Sequence, residues 1–142
     1  MGSWIGYHLT IGTGTRDPRA VRADLRSELA RVVPDLVPKR RAVVSIEGET
    51  VHWGTGEEHR NPVYKQACEE PFVPKLDVPA RWALGVREQE AEYNGGGTLY
   101  AWVDGQYVEI EDFCGRFGGN AGDALAHYKR EWNIDGSKVT RW

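Results

Sequence analysis

The first strand-like segment of the chain carries a histidine and a threonine two residues apart, His8 and Thr10. Residues alternate between apolar and polar from Trp4 to Ile11, which predicts a β-strand with one face toward a core. Positions i and i+2 of a strand share a face, so the imidazole and the hydroxyl group would converge. One histidine and one hydroxyl on a common face could bind a phosphate group. These two residues are therefore a candidate phosphate site.

The segment His8-Leu9-Thr10 resembles the half-site of the 2H phosphoesterase family, which uses two such half-sites, one from each lobe. None of the other histidines, His52, His59 and His127, is followed two positions later by a serine or a threonine. The resemblance implies an enzyme that acts on a phosphate ester as one alternative function. A polar strand face without chemistry is the other interpretation of this segment.

The sequence predicts no metal site and no cofactor. His52 and His59 flank two glutamates, but their spacing is not that of a zinc site. Cys68 and Cys114 are far apart and belong to no Cys-x-x-Cys pattern, which favours reduced thiols. The glycine-rich run GRFGGNAG lacks the Gly-Lys-Ser/Thr ending of a phosphate-binding loop.

Acidic residues recur at every second position in two predicted strands. Carboxylates two residues apart in a strand lie about 7 Å from each other on one face, a spacing that suits a partner with a basic groove. Aromatic residues of the strand between them could add affinity. The predicted partner-binding residues are Glu88, Glu90, Glu92, Tyr100, Trp102, Glu109 and Glu111. A solvated face that keeps the sheet soluble is the alternative interpretation.

A basic set of residues gives a further alternative, binding to nucleic acid. Its members are Arg16, Arg19, Arg22 and Arg26 along the first predicted helix, followed by Lys39, Arg40 and Arg41. Interspersed Asp24 and Glu28 favour a solvated helix side instead. The net charge of −3 does not favour general affinity for nucleic acid or membranes.

The order of elements predicts a single α+β domain over the 142 residues, an antiparallel meander sheet with two packed helices. Asp17-Pro18 begins a helix that ends at Val33, and Asn120 begins a second one. Three meander strands run from Arg81 to Phe113, with a two-residue turn at Asp104-Gly105. The predicted order is β-α-β-β-β-β-β-α-β. The Pro-rich segment Gly54 to Ala80 could be a lid, an interface or a wrapping arm.

The last third of the chain resembles Imm1-type bacterial immunity proteins. The runs GGTLYAWVDGQYVE and DALAHYKREWNIDGSKVTRW are similar to that family's paired strands, closing helix and final tryptophan-ending strand. The resemblance implies a cytosolic binder that neutralises a toxin enzyme and has no catalysis of its own. A weaker similarity links the Trp-containing first strand and helix to small ferredoxin-like proteins of phages and plasmids.

The leading hypothesis is thus a non-enzymatic inhibitor or immunity-type protein that binds a partner with a basic surface. The N-terminus lacks the pattern of a signal peptide, and no apolar run is long enough to span a membrane, so a cytoplasmic protein is expected.

Overall fold

The computed structural model describes residues 5–34, 43–54, 71–89, 96–114 and 126–127. These residues form an α+β structure in which one α-helix packs on a six-stranded antiparallel sheet. A short 3₁₀ helix, Val73–Lys75, precedes the fourth strand. The elements in chain order are β1 (Ile5–Gly12), α1 (Pro18–Val32), β2 (Val43–Glu47), β3 (Thr50–Gly54), β4 (Trp82–Gln89), β5 (Gly96–Val103) and β6 (Gln106–Cys114).

The first strand of the chain lies in the middle of the sheet. The strand order is β2-β3-β1-β4-β5-β6, and each neighbouring pair is antiparallel. Strand β1 pairs with β3 on one side and with β4 on the other, so α1 connects β1 to a strand two positions away. The meander predicted from Arg81 onward is confirmed as β4-β5-β6.

Helix α1 begins where the sequence predicts. The Asp17 side chain accepts a hydrogen bond of 2.9 Å from the backbone N–H of Arg19, and Pro18 occupies the first helical turn. The buried side chains of the helix, Val21, Leu25 and Leu29, recur every four residues. This spacing places one apolar stripe of α1 against the sheet.

Both faces of the central strands are buried. Tyr7, Leu9 and Ile11 of β1 belong to the core that contains the helix leucines. The opposite face of the sheet carries Trp82 and Leu84 of β4, and each of these two side chains is only 1% exposed. Burial removes apolar surface from water, and this stabilises the sheet on both sides.

The end of the Pro-rich segment packs into the core. Phe72, Val73, Leu76 and Val78 are buried, and the Phe72 ring lies 5.3 Å from the Tyr7 ring. The Tyr107 hydroxyl of β6 donates a 2.7 Å hydrogen bond to the Val78 carbonyl. Residues 71–80 therefore wrap over the sheet, while residues 55–70 lie outside the described ranges.

The predicted second helix, which begins at Asn120, lies mostly outside the described residues. The described ranges contain one complete α-helix, α1, whereas the sequence predicts two helices. Of the predicted second helix, the structure describes Ala126 and His127, which are helical. The predicted last strand, residues 138–142, lies outside the described residues. No helix in the described ranges combines the length and the apolar character needed to cross a membrane.

Candidate functional site

The face of the sheet opposite α1 carries a small polar cluster formed by His8, Thr10 and His52. Thr10 lies directly opposite His52 in the pairing of β1 with β3, and His8 lies opposite Gly54. The Thr10 hydroxyl oxygen is 3.2 Å from His52 Nδ1, and His8 Nδ1 is 3.4 Å from His52 Nε2. We refer to these three residues as the histidine cluster.

A glycine and a set of aliphatic side chains surround the histidine cluster. A Cβ atom at Gly54 would lie 3.3 Å from His8 Nδ1 and 3.5 Å from His52 Nε2, so the missing side chain leaves room for both rings. On the β4 side, His8 and Thr10 lie opposite Val86 and Leu84, which are buried. The two imidazoles are half-buried and stack with ring centroids 5.4 Å apart.

The sequence predicted His8 and Thr10 as neighbours on one strand face but did not identify His52. His52 is 44 residues from His8 in the chain, and only the pairing of β1 with β3 brings the two together. The His-x-Ser/Thr pattern could not have found it, because His52 is followed by Trp53-Gly54. The contact between His8 and His52 is therefore visible only in the three-dimensional structure.

The cluster does not reproduce a two-sided phosphate clamp. A phosphate held between two facing imidazoles needs their donor nitrogens more than about 5 Å apart, because each N–H···O hydrogen bond alone spans about 2.9 Å. The contacting nitrogens of His8 and His52 are 3.4 Å apart, so a phosphate cannot lie between them. A phosphate could approach the outer side of the cluster, where one imidazole would face it.

A second feature is the acidic hairpin, which we define as β5, β6 and the turn that joins them. It contains Asp104, Glu109, Glu111 and Asp112 and no lysine or arginine. Asp104 and Glu109 are exposed, and Asp112 accepts a 2.8 Å hydrogen bond from the Thr98 hydroxyl. The hairpin therefore carries negative charge that reaches solvent.

The prediction that Glu109 and Glu111 share one face is wrong. Glu109 lies opposite Tyr100, whereas Glu111 lies opposite Leu99, the residue that precedes Tyr100. A β-bulge places Ile110 between these two pairs without a partner of its own. Period-two alternation fails at a bulge, so the two carboxylates lie on opposite faces of the sheet.

The aromatic residues predicted for the binding surface differ in their exposure. Tyr100 is 4% exposed and belongs to the core. Trp102 is half-buried, and its ring packs edge-on against Tyr107 at a centroid distance of 4.9 Å. Of the two predicted aromatics, Trp102 is therefore the one with surface that a partner could contact.

The remaining predicted acidic residues are in or after β4. Glu88 lies opposite Gly6 in the pairing of β1 with β4. Glu90 and Glu92 lie outside the described residues. An acidic row formed by these three glutamates stays a prediction.

Burial changes the ionisation of two tyrosines in the acidic hairpin, Tyr100 of β5 and Tyr107 of β6. Removal from water raises the pKa of Tyr100 to about 12, partly opposed by a hydrogen bond with Thr98. Burial also raises the pKa of Tyr107, partly opposed by the positive charge of Arg16. Both phenols therefore stay neutral well above the ordinary range of tyrosine.

The predicted basic set begins with an arginine that has a structural role. Arg16 precedes α1, donates a 2.6 Å hydrogen bond to the Pro79 carbonyl and pairs with Asp24 at 2.8 Å. These contacts join the start of the helix to the end of the Pro-rich segment. Arg19 and Arg26 are exposed on the helix. Nucleic-acid binding by this set stays a prediction.

An open cavity of about 580 Å³ lies at the end of β1. Thr13, Gly14, Thr15, Arg16, Glu49, Ala80 and Arg81 line it. Its lining combines carboxylate and guanidinium groups, so it has no single sign of charge. Among the described residues, no group of three or more His, Cys, Asp or Glu side chains is arranged to hold a metal ion.

Two comparisons with known proteins bear on the family of this chain. No protein-family model matches it, and a search of curated proteins finds no match. The resemblance of the last third to Imm1-type immunity proteins therefore stays a prediction.

Proposed function

We propose that the chain is a non-enzymatic inhibitor of the immunity type, which acts in the cytoplasm and blocks a partner protein that has a basic site. A toxin or a nuclease-like enzyme is the class of partner that fits. The observation that carries the proposal is the acidic hairpin, with four acidic residues and no lysine or arginine in residues 96–114. The resemblance to Imm1-type proteins supports the same conclusion.

The charges of the acidic hairpin suit recognition better than stabilisation. Asp104 and Glu109 are exposed, and exposed charges of this kind contribute little to the free energy of folding. Their long-range attraction to a basic partner adds up over the whole hairpin and accelerates association. Trp102 and the exposed Val108, 42% accessible, add apolar surface beside these charges. Charge and apolar surface together are the composition expected of a protein interface.

Reducing the negative charge of the acidic hairpin should slow association with the partner. We expect the double variant Asp104→Asn with Glu109→Lys to associate at least about tenfold more slowly at low ionic strength, because electrostatic steering is lost. Asparagine is used at position 104 because it tolerates the φ value of 50° found there. The difference should shrink at high salt, where exposed charges are screened. The measurement is binding kinetics with the partner that the immobilised chain captures stoichiometrically from its native host.

The matched control is Glu47→Lys with Glu49→Gln, which changes two exposed acids in and after β2, at the other edge of the sheet. This variant has the same net charge as the hairpin variant but leaves the hairpin intact. Equal slowing in both variants would show that only net charge matters, and failure to capture any partner at low salt would contradict the proposal. A thermal melt of each variant reports whether the fold is preserved.

A second candidate function is an enzyme that acts on a phosphate ester, and the contact of His52 with His8 and Thr10 favours it. Histidine is the side chain that most often transfers protons near neutral pH. In this candidate, one imidazole of the histidine cluster would act as a general acid or base, and the other would orient it. Thr10 would fix the orientation of His52 through their 3.2 Å contact.

The second candidate predicts hydrolysis of a chromogenic phosphodiester by the intact chain. Replacing His8 or His52 with glutamine should lower the rate by about 10²–10⁴-fold, which is the usual contribution of a general acid or base. His127→Gln is the control, because His127 lies in a different part of the chain. No hydrolysis above the uncatalysed rate, or equal rates in all three variants, would eliminate this candidate.

A further inference from the structure

We propose that His8 and His52 form a two-histidine binding site for a divalent transition-metal ion such as Zn²⁺. The site is the pair of ring nitrogens His8 Nδ1 and His52 Nε2, which face each other across β1 and β3 at 3.4 Å. The sequence alone predicts no metal site in this chain. The proposal does not depend on the proposed inhibitor function.

The distance between the two nitrogens suits a shared metal ion. Zinc binds histidine nitrogens at about 2.0–2.1 Å in tetrahedral geometry, so two ligand nitrogens on one ion lie roughly 3.3–3.4 Å apart. The observed 3.4 Å agrees with this separation. It is longer than the 2.9–3.0 Å or so that is typical of hydrogen bonds donated by N–H groups. The spacing of the pair therefore fits a shared ion as well as the direct contact between the two rings.

Thr10 occupies the position of an outer partner to a metal-binding histidine. Such histidines usually donate the N–H of the second ring nitrogen to an oxygen atom, which fixes the tautomer and the ring orientation. The Thr10 hydroxyl oxygen lies 3.2 Å from His52 Nδ1. With the proton of His52 on Nδ1, the lone pair of the imidazole is on Nε2, the nitrogen that contacts His8. With the proton of His8 on Nε2, both imidazoles bind the ion in their neutral form.

The surroundings of the pair leave space for an ion and its water ligands. Gly54 has no side chain, and a Cβ atom there would be within 3.5 Å of both nitrogens. Both histidines are half-buried, so solvent reaches them from one side. Two protein ligands leave the other coordination positions to water, and imidazole is a ligand common to Zn²⁺, Cu²⁺ and Ni²⁺.

The test is a calorimetric titration of the full chain with Zn²⁺ alone. It is carried out at a pH above the ordinary histidine pKa of about 6.5. We expect one site per chain, lost in His8→Gln and in His52→Gln and retained in His127→Gln. Thr10→Val keeps both ligands, and it should weaken binding by about 10–100-fold, the usual effect of removing an outer partner. The absence of a binding heat for the unmodified chain, or full binding by both glutamine variants, would overturn the proposal.

A second measurement covers the case in which a glutamine variant fails to fold. Histidine-selective chemical modification of the unmodified chain, mapped by mass spectrometry, should be slowed by Zn²⁺ at His8 and His52 but not at His127. Equal protection of all three histidines, or protection of none, would contradict a site at this pair. Neither result bears on partner capture by the acidic hairpin, so the two proposals can fail separately.

Discussion

Replacing Gly12 with alanine is expected to lower the free energy of unfolding by about 3 kcal/mol, near the upper end of the usual cost of overpacking a core. Gly12 lies opposite Trp82 in the pairing of β1 with β4. The indole covers the glycine so closely that a Cβ atom would overlap its Nε1 and Cε2 atoms. Trp82 is 1% exposed, and a rigid, fully buried ring cannot move aside without disturbing the core around it.

Urea denaturation of the single and double variants tests this explanation. In a chain that already carries Trp82→Leu, the added Gly12→Ala change should cost much less, because the two sites are coupled through direct contact. Gly54→Ala is the matched control: its Cβ atom would come no closer than 3.3 Å to its neighbours, so its cost should be smaller. If Gly12→Ala is as costly without the tryptophan as with it, backbone conformation rather than packing makes this glycine necessary.

Short sequence patterns are sufficient to predict where one helix begins and where one hairpin turns. The start of α1 follows from Asp17 and Pro18. The N-cap hydrogen bond of the aspartate and the fixed φ angle of the proline both act within a few residues of the chain. The turn between β5 and β6 follows from Asp104 and Gly105, which have φ values of 50° and 84°. Two-residue hairpin turns of this kind need such values, and few residues other than aspartate, asparagine and glycine adopt them readily.

Non-local features could not be predicted in the same way. The central position of β1 depends on its pairing with both β3 and β4, and no short sequence pattern specifies which strands become neighbours. The contact of His8 with His52 depends on the register of that pairing. The bulge at Ile110 depends on the register of β5 with β6, and it separates two glutamates that alternation alone would place together. Each of these features is decided by packing between distant segments.

The fold is expected to lose stability as the pH rises from about 10 to about 12. Burial raises the pKa of Tyr100 from 10.0 to about 12, and burial raises the pKa of Tyr107 as well. Below pH 10, both phenols are neutral in the folded and in the unfolded chain, and the stability is at its full value. Above pH 10, the unfolded chain releases protons that the folded chain retains, so unfolding becomes easier with each increase in pH.

A shift of about two pKa units corresponds to about 2.7 kcal/mol for Tyr100, because each unit is worth about 1.36 kcal/mol. The measurement is the free energy of unfolding in urea at several values between pH 8 and pH 12 or so. Tyr100→Phe has no phenol to ionise, so its stability should fall less steeply than that of the unmodified chain over the same range. Lysines and other groups titrate equally in both proteins, and the difference between the two curves isolates Tyr100. Parallel curves would mean that this phenol ionises as easily in the folded chain as in the unfolded one, and that water reaches the core beside the acidic hairpin.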